Sequence, residues 1–298
     1  MKVGLIGLGN MGKNHHRVYS RIKAIEEVAI YDPNIPNHSN LEKFNKLVYE
    51  GELKGISVCN PTSFHVQTVL DLFKLNQNLF VLLEKPVALM LEDAKKLFQY
   101  SDRILVGHIE RHNPAIRHVK NMIDNGFMGE IYSIRTQRVG LYAPSQSNPN
   151  VAVDLLVHDV DIVNYLLNDS GFKCRNSFKS YNSTTGLHSP YIDFANISCE
   201  YSNKEHKNVS AFCEANWVTP HRFRKLFITA SSGYYEVDYI QQHISLYDSS
   251  ERFHKTVFSA REEPLKNELE HFIKVIRGAE KPICTVEDGA ECLGIVNG

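Results

Sequence analysis

A strand that breaks into three spaced glycines constrains this chain more than any other feature. Lys2-Val3-Gly4-Leu5-Ile6 is a short apolar run, and Gly7-Leu8-Gly9-Asn10-Met11-Gly12 follows it at once. In a G-x-G-x-x-G turn from strand into helix, the first glycine permits the tight turn. The second lets a diphosphate approach the backbone, and the third lets the helix pack closely on the strand. The N–H groups at the helix start then face the anion. The expectation is a βαβ dinucleotide-binding unit in which Gly7, Leu8, Gly9, Asn10, Met11 and Gly12 hold the cofactor. A second apolar run, Val28 to Tyr31, ends in Asp32, about twenty residues past Gly12. A carboxylate there accepts hydrogen bonds from the adenosine ribose hydroxyls. No Arg or Lys follows Asp32 before Lys43, so a 2′-phosphate would meet negative charge alone. NAD is therefore favoured, with NADP left open.

The same alternation continues downstream. Leu41 to Tyr49, Ser63 to Leu75 and Leu91 to Tyr100 read as amphipathic helices. Gly55 to Cys59, Leu79 to Leu83 and Ile104 to Gly107 read as near-continuous apolar strands. That pattern predicts a parallel sheet covered by helices on both faces, with ligands beyond the carboxyl ends of its strands. Those ends carry Asn60-Pro61-Thr62, Glu84-Lys85-Pro86 and the stretch from His108 through Arg111 to Asn113 and Pro114. Lys85 has a carboxylate before it and a backbone restricted by the proline after it. It is placed to donate to a cofactor ribose and to a substrate hydroxyl. His65 opens the next helix on the same side, where it either lines the nicotinamide end or bonds local backbone.

The second half is organised around Asp154-Leu155-Leu156-Val157-His158-Asp159-Val160-Asp161. Read as a helix, it puts Asp154 and His158 one turn apart on one face. A carboxylate and an imidazole on a helix this apolar are costly to bury without a use. Before it, Asn113-Pro114 reads as a helix start, and Glu130 to Arg138 alternates as a half-buried strand. The Pro-, Ser- and Asn-rich loop that begins near Tyr142 and runs to Asn150 reads as a substrate loop. After it, Tyr191 to Tyr201, Val209 to Trp217, Phe223 to Ala230, Tyr234 to Tyr239 and His243 to Tyr247 alternate like strands of a large antiparallel sheet. Arg222 and Arg224 could reach a phosphate of a sugar nucleotide. The helix from Pro264 to Arg277 is expected to close this domain.

Composition excludes several classes. The 298 residues carry 33 basic and 34 acidic side chains, a formal net charge of -1, which leaves no electrostatic footprint for nucleic acid or an anionic membrane. No apolar run reaches bilayer-spanning length. Six scattered cysteines without a Cys-x-x-Cys pair suit a reducing compartment, and a cytoplasmic location is expected. The adjacent His15 and His16 fall on different helix faces, and no metal site is expected.

Taken together, Gly7 to Gly12, Glu84-Lys85-Pro86, Gly107-His108-Ile109-Glu110-Arg111-His112-Asn113-Pro114 and Asp154-x-x-x-His158 resemble the glucose–fructose oxidoreductase / inositol dehydrogenase / rhizopine-catabolism (Gfo/Idh/MocA) family. The resemblance implies that Lys85, Asp154 and His158 meet around nicotinamide C4 and the oxidised carbinol. It also implies a cis Lys85–Pro86 bond. Arg138-Val139-Gly140-Leu141-Tyr142 and Asn216-Trp217-Val218-Thr219-Pro220 narrow it toward the branch containing UDP-N-acetylglucosamine 3-dehydrogenases. That branch has Phe where His112 stands, and Pro-rich basic sequence where residues 142–149 stand.

The expected fold is an α/β chain, with an N-terminal Rossmann doubly wound parallel sheet and a C-terminal α+β domain built on a large, mostly antiparallel open sheet. Residues 1–115 form the NAD(P)-binding domain and residues 116–298 the substrate-binding and oligomerisation domain, with the last helix able to pack back on the first. The implied activity is hydride transfer between nicotinamide and a secondary hydroxyl of a sugar, a nucleotide sugar foremost. An inositol or free-sugar dehydrogenase, and a non-catalytic NAD-dependent sensor, are the alternatives. Lys85, Asp154 and His158 are the expected catalytic residues. The cofactor residues are Gly7 to Gly12, Asp32, Asn60, Pro61, Thr62, His65, Glu84, Lys85 and Arg111. Substrate contacts fall to His108, Arg111, Asn113, Tyr142, Asp154 and His158. An open sheet of this size needs cover, so a homodimer or homotetramer through it is expected.

Overall fold

The structure is a computed structural model that describes residues 1–141, 150–183, 192–248 and 254–297. The chain divides into two compact units, one of Met1–Ile109 with Glu263–Leu293, the other of Glu110–Glu262 with Gly294–Gly298.

In the first unit, strands β1 (Lys2–Ile6), β2 (Glu27–Tyr31), β3 (Leu53–Val58), β4 (Phe80–Glu84) and β5 (Ile104–Gly107) form one parallel sheet in the order β2-β1-β3-β4-β5. Helices α1 (Asn10–Tyr19), α2 (Leu41–Tyr49), α3 (Thr62–Leu75) and α4 (Leu91–Lys95) connect them. Strand order reverses direction between β1 and β3, and in such sheets the crevice at that reversal is the ligand site. The expected helix from Leu91 to Tyr100 is shorter, with 3₁₀ turns over Phe98–Arg103 taking up the remainder. Of its apolar residues only Ala94 and Leu97 are fully buried, too little packing to sustain a longer helix.

The helix α7 (Pro264–Ile276), expected in the second domain, belongs to the first. Leu265, Leu269, Phe272 and Ile273 join Val3, Ile56 and Leu83 in one apolar core. Gly55 makes this possible. A Cβ there would stand 2.4 Å from Ile276 and 3.0 Å from Phe272, so the missing side chain is where α7 lies on β3. The backbone N–H of Val106 also donates to Cys284 O at 3.0 Å.

The second unit is an eight-stranded sheet in the order β13-β12-β11-β10-β6-β9-β8-β7. Its strands are β6 (Ile131–Val139), β7 (Lys173–Asn182), β8 (Phe194–Ser202), β9 (Asn208–Asn216), β10 (Phe223–Ala230), β11 (Gly233–Asp238), β12 (His243–Asp248) and β13 (His254–Ser259). Every pair is antiparallel except β6 with β9. Helices α5 (Pro114–Asp124) and α6 (Val157–Asn168) pack on this sheet. The two strands absent from the sequence reading, β7 and β13, are its two edges. They carry mostly polar residues, as unpaired edges do, and that hides the alternation on which a strand assignment depends.

No helix among the described residues is long and apolar enough to cross a membrane. None of the six cysteines forms a disulfide.

Candidate active site

The glycine turn closes as its spacing predicts. Gly7 sits at φ +86°, a conformation that favours glycine. A Cβ on Gly7 would stand 2.7 Å from the backbone N of Asn60, and one on Gly12 would stand 1.9 Å from Gly7 O. Gly9 differs, because a Cβ there would meet no atom within 4 Å. Gly7 and Gly12 are thus required by the fold, whereas Gly9 leaves open space in front of α1. Helix α1 begins with no side-chain cap and no acidic residue in its first turn, so its first N–H groups suit an anion.

Asp32 anchors the other side. Its Oδ2 accepts from Leu8 N at 2.7 Å and its Oδ1 from Asn34 N at 2.9 Å. A carboxylate has about four acceptor positions, so capacity remains for ribose hydroxyls. A cavity of about 590 Å³ opens beside it, lined by Gly7, Tyr31, Asp32, Asn34, Pro61 and Phe64 among others. These residues fit a dinucleotide: an apolar slot for a base, a carboxylate for the ribose, and a bare turn for the diphosphate. Asp32→Ala should raise the NADH dissociation constant by about 10- to 100-fold, the worth of a charged hydrogen bond or two, and narrow the preference for NADH over NADPH. A fluorescence titration with both nucleotides measures it; an unchanged preference would take Asp32 out of cofactor recognition.

Strand β4 ends in Glu84 and is followed by Lys85-Pro86, whose peptide bond is cis. Glu84 Oε1 lies 2.9 Å from His15 Nε2 on α1, both side chains buried. Burial raises the Glu84 pKa, but the His15 bond and the charges of His15 and Lys85 outweigh it and hold the carboxylate below its ordinary value. The other carboxylate oxygen accepts from Lys85 N at 3.3 Å. His15, Cys59 and Glu84 bring one ligand atom each within 4.8 Å of one another, a grouping that sequence spacing does not reveal. His65 bonds local backbone. Its Nδ1 lies 2.8 Å from Pro86 O and its Nε2 2.9 Å from Asn60 O. Burial lowers its pKa, against the two carbonyls and Glu84, which raise it. Carbonyl oxygens only accept, so a neutral ring donates to one of them and an imidazolium to both. Thr62 begins α3 after Asn60 and Pro61.

In the second unit, the Asp154 segment is not one uniform helix. Ala152–Leu156 is a π-helical turn that runs into α6. Such turns, with i→i+5 bonds, often mark functional positions. Asp154 is half-buried and His158 is 8% exposed. The acidic neighbours of His158 serve as anchors. Asp159 Oδ2 accepts from Arg138 Nε at 2.7 Å, and Asp161 accepts from Arg111 Nε and Nη2 at 3.0 and 2.7 Å. Arg138 also reaches Glu110 at 3.1 Å. Burial dominates at Asp159 and pushes its pKa up to about 6 despite Arg138. At Glu110 burial also raises the pKa, but Arg138 and Arg224 outweigh it and hold the pKa down.

The remaining candidates divide. Arg111 and Asn113 are both 2% exposed. Arg111 is ion-paired with Asp161 and stacks 5.1 Å from the Tyr165 ring. Asn113 caps α5 by accepting from Ala115 N and donates to Glu110 and Tyr239 O. His108 is buried. His108 and His112 are four residues apart, but Ile109–His112 is a 3₁₀ turn, so the α-helical spacing that would align two imidazoles is absent. Arg224 pairs with Glu110 at 3.3 Å, and Arg222 lines a cavity of about 530 Å³ with His221 and Lys225. Tyr142 and the loop that follows it to residue 149 lie outside the described residues. Trp217 is buried.

The turn, the acidic end of β2 and the strand order define a dinucleotide-binding domain of the Rossmann class. Residues 1–104 match the family model described as oxidoreductase family, NAD-binding Rossmann fold. That family model is Gfo/Idh/MocA, and the stretch it matches is an NAD-binding domain. The chain is 26% identical over 181 residues to the rhizopine catabolism protein MocA of Rhizobium meliloti, covering 55% of this chain and 56% of that protein. It is 27% identical over 213 residues to an inositol 2-dehydrogenase/D-chiro-inositol 3-dehydrogenase of Lacticaseibacillus casei, covering 64% and 61%. The matches thus span less than two thirds of either relative. A solved UDP-N-acetylglucosamine 3-dehydrogenase from Acidithiobacillus ferrooxidans has the same fold, with a TM-score of 0.83 at 21% identity over 99% of this chain and 95% of that one.

Proposed function

We propose that this chain is an NAD-dependent dehydrogenase acting on a secondary hydroxyl of a sugar, with a nucleotide sugar such as UDP-N-acetylglucosamine as the first candidate. The observation that carries this reading is the dinucleotide cradle of Gly7 to Gly12 and Asp32, with Lys85 just past the end of β4 in the same parallel sheet. Bound NAD supplies the hydride acceptor. Lys85 donates a hydrogen bond to the carbinol oxygen and to the cofactor ribose. His158 takes the hydroxyl proton, the general-base role that an imidazole serves in many enzymes. Asp154 orients the imidazole and stabilises its charged form. The ion pairs of Asp159 and Asp161 fix the helix that presents it.

Nucleotide sugar is favoured by the fold shared with the UDP-N-acetylglucosamine enzyme, and inositol by the relative with 27% identity. NADH formation over a panel of UDP-sugars, free sugars and inositols tests the reading. Turnover of a UDP-sugar is the expected result. Tight NADH binding without turnover of any member would make the protein a sensor instead.

A second copy of the chain is the proposed cover for the outer face of the eight-stranded sheet. Phe178, Tyr234 and Tyr247 stand exposed, and the rings of Phe227, Tyr234, Tyr247 and His254 follow one another at 6.1, 5.9 and 4.7 Å. Aromatic rows of this kind are common in interface cores. Light scattering at micromolar concentration should give a dimer or tetramer, and Tyr234→Glu a smaller species. A wild-type monomer would refute it.

A further inference from the structure

Two buried imidazoles bond the residues on either side of Lys85. His15, on the helix that follows the glycine turn, bonds the Glu84 carboxylate at 2.9 Å, and that carboxylate accepts the Lys85 N–H at 3.3 Å. His65, in the first turn of α3, bonds Pro86 O at 2.8 Å and Asn60 O at 2.9 Å. Asn60 in turn donates to Thr68 Oγ1 at 2.9 Å and abuts Gly7 across the reversal of strand order. The hydrogen bonds, the chain itself and the close approach of Asn60 to Gly7 together close a circuit: glycine turn, α1, His15, Glu84, Lys85, Pro86, His65, Asn60, glycine turn. His15 and His65 are 0% and 1% exposed, so neither is placed to meet a substrate itself.

We propose that His15 and His65 are positioning residues for Lys85, clasping Glu84 and Pro86 so that the lysine is held in register with the dinucleotide turn. The inference rests on Lys85 acting at the reacting hydroxyl, as proposed above. Its physical content is that an extended strand end without side-chain bonds wanders, and a reactive group misplaced by about 1 Å can lose about 100-fold in rate. Each imidazole removes one direction of that wandering. His15 ties residue 84 to α1, and His65 ties residue 86 to the Asn60 loop.

The test combines hydrogen exchange, NADH binding and turnover in full-length His15→Leu and His65→Leu. Without any substrate, amide exchange across residues 83–89 should rise about tenfold, since breaking the local bonds lowers the free energy of local opening, while the rest of the first unit stays protected. NADH affinity, read by fluorescence, should fall by no more than about tenfold, the worth of the one Lys85 bond to the ribose, because the glycine turn and Asp32 are untouched. With UDP-N-acetylglucosamine or myo-inositol as the probe, kcat should fall about 10- to 100-fold with little change in KM. His15→Gln, whose amide nitrogen can take the place of Nε2, should restore most of the loss; a merely space-filling role would not distinguish Gln from Leu. His15→Asn, polar but too short to reach Glu84, covers the case in which Leu does not fold. Unchanged exchange across residues 83–89 in both variants would overturn the proposal. Lys85→Met separates the two readings. Turnover retained there sinks the catalytic role of Lys85. Turnover lost there but kept in both histidine variants sinks the clasp alone.

Discussion

Gly12→Ala should unsettle the first domain and abolish useful NADH affinity, while Gly9→Ala should weaken the cofactor and leave the fold alone. The two glycines sit in one short turn, yet their surroundings are opposite. A methyl on residue 12 would stand 1.9 Å from Gly7 O and 2.9 Å from Gly7 C. The turn cannot retreat, because Gly7 is already packed against the backbone of Cys59 and Asn60. Overpacking of this kind costs about 1–3 kcal/mol, sometimes more, which in a domain of this size is about 3–10 °C in melting temperature. A methyl on residue 9 meets no protein atom within 4 Å, and its φ of -69° suits any residue. Its effect should appear only with the diphosphate in place, as an NADH dissociation constant raised about 10-fold or more, since the second glycine of the turn serves backbone approach. Thermal melts with and without NADH measure both. Equal melting temperatures for Gly12→Ala and wild type would contradict the packing argument. Unchanged NADH affinity in Gly9→Ala would remove the diphosphate from in front of α1.

That pair also shows what could be read before any coordinates. The glycine spacing, the acidic residue at the end of β2 and the apolar strands between amphipathic helices are local patterns, and local patterns survive in a sequence. The parallel sheet, its ligand end and most strands of the second sheet followed from them. Pairings between distant elements did not. His15 and Glu84 lie on different elements, and no periodicity joins them. Arg138 reads as an ordinary strand arginine, and Asp159 and Asp161 as ordinary helix acids, until the fold puts Arg138 against Asp159 and Arg111 against Asp161. Gly55 does carry a signal of such a pairing, since a glycine in an apolar strand marks a close approach, and it is where α7 lies on the first sheet. The edge strands β7 and β13 were hidden by the polar composition that keeps an edge from pairing with another chain. The π-helical turn at Ala152–Leu156 was invisible because its residues also fit a regular helix.

His158→Ala should keep NADH affinity within about threefold of wild type and lower kcat by about two to four orders of magnitude, the usual worth of a general base. The separation follows from the division of the chain. The cradle residues Gly7 to Gly12 and Asp32 belong to the first unit and His158 to the second. Loss of a proton acceptor acts on the chemical step rather than on nucleotide binding. The helix itself should remain in place, because the ion pairs of Asp159 with Arg138 and Asp161 with Arg111 do not involve the imidazole, and the residues around them are buried. The variant should also lose the acidic limb of the pH–rate profile, the limb that reports protonation of the general base. On the roles proposed above, Asp154→Asn should give a smaller loss of the same kind, because it leaves the imidazole but removes the carboxylate charge proposed to stabilise its protonated form. An unchanged acidic limb in His158→Ala would assign the proton to another group. Near-normal turnover would remove the histidine from the reaction and leave the first domain as a nucleotide-binding module whose partner chemistry lies elsewhere in the chain.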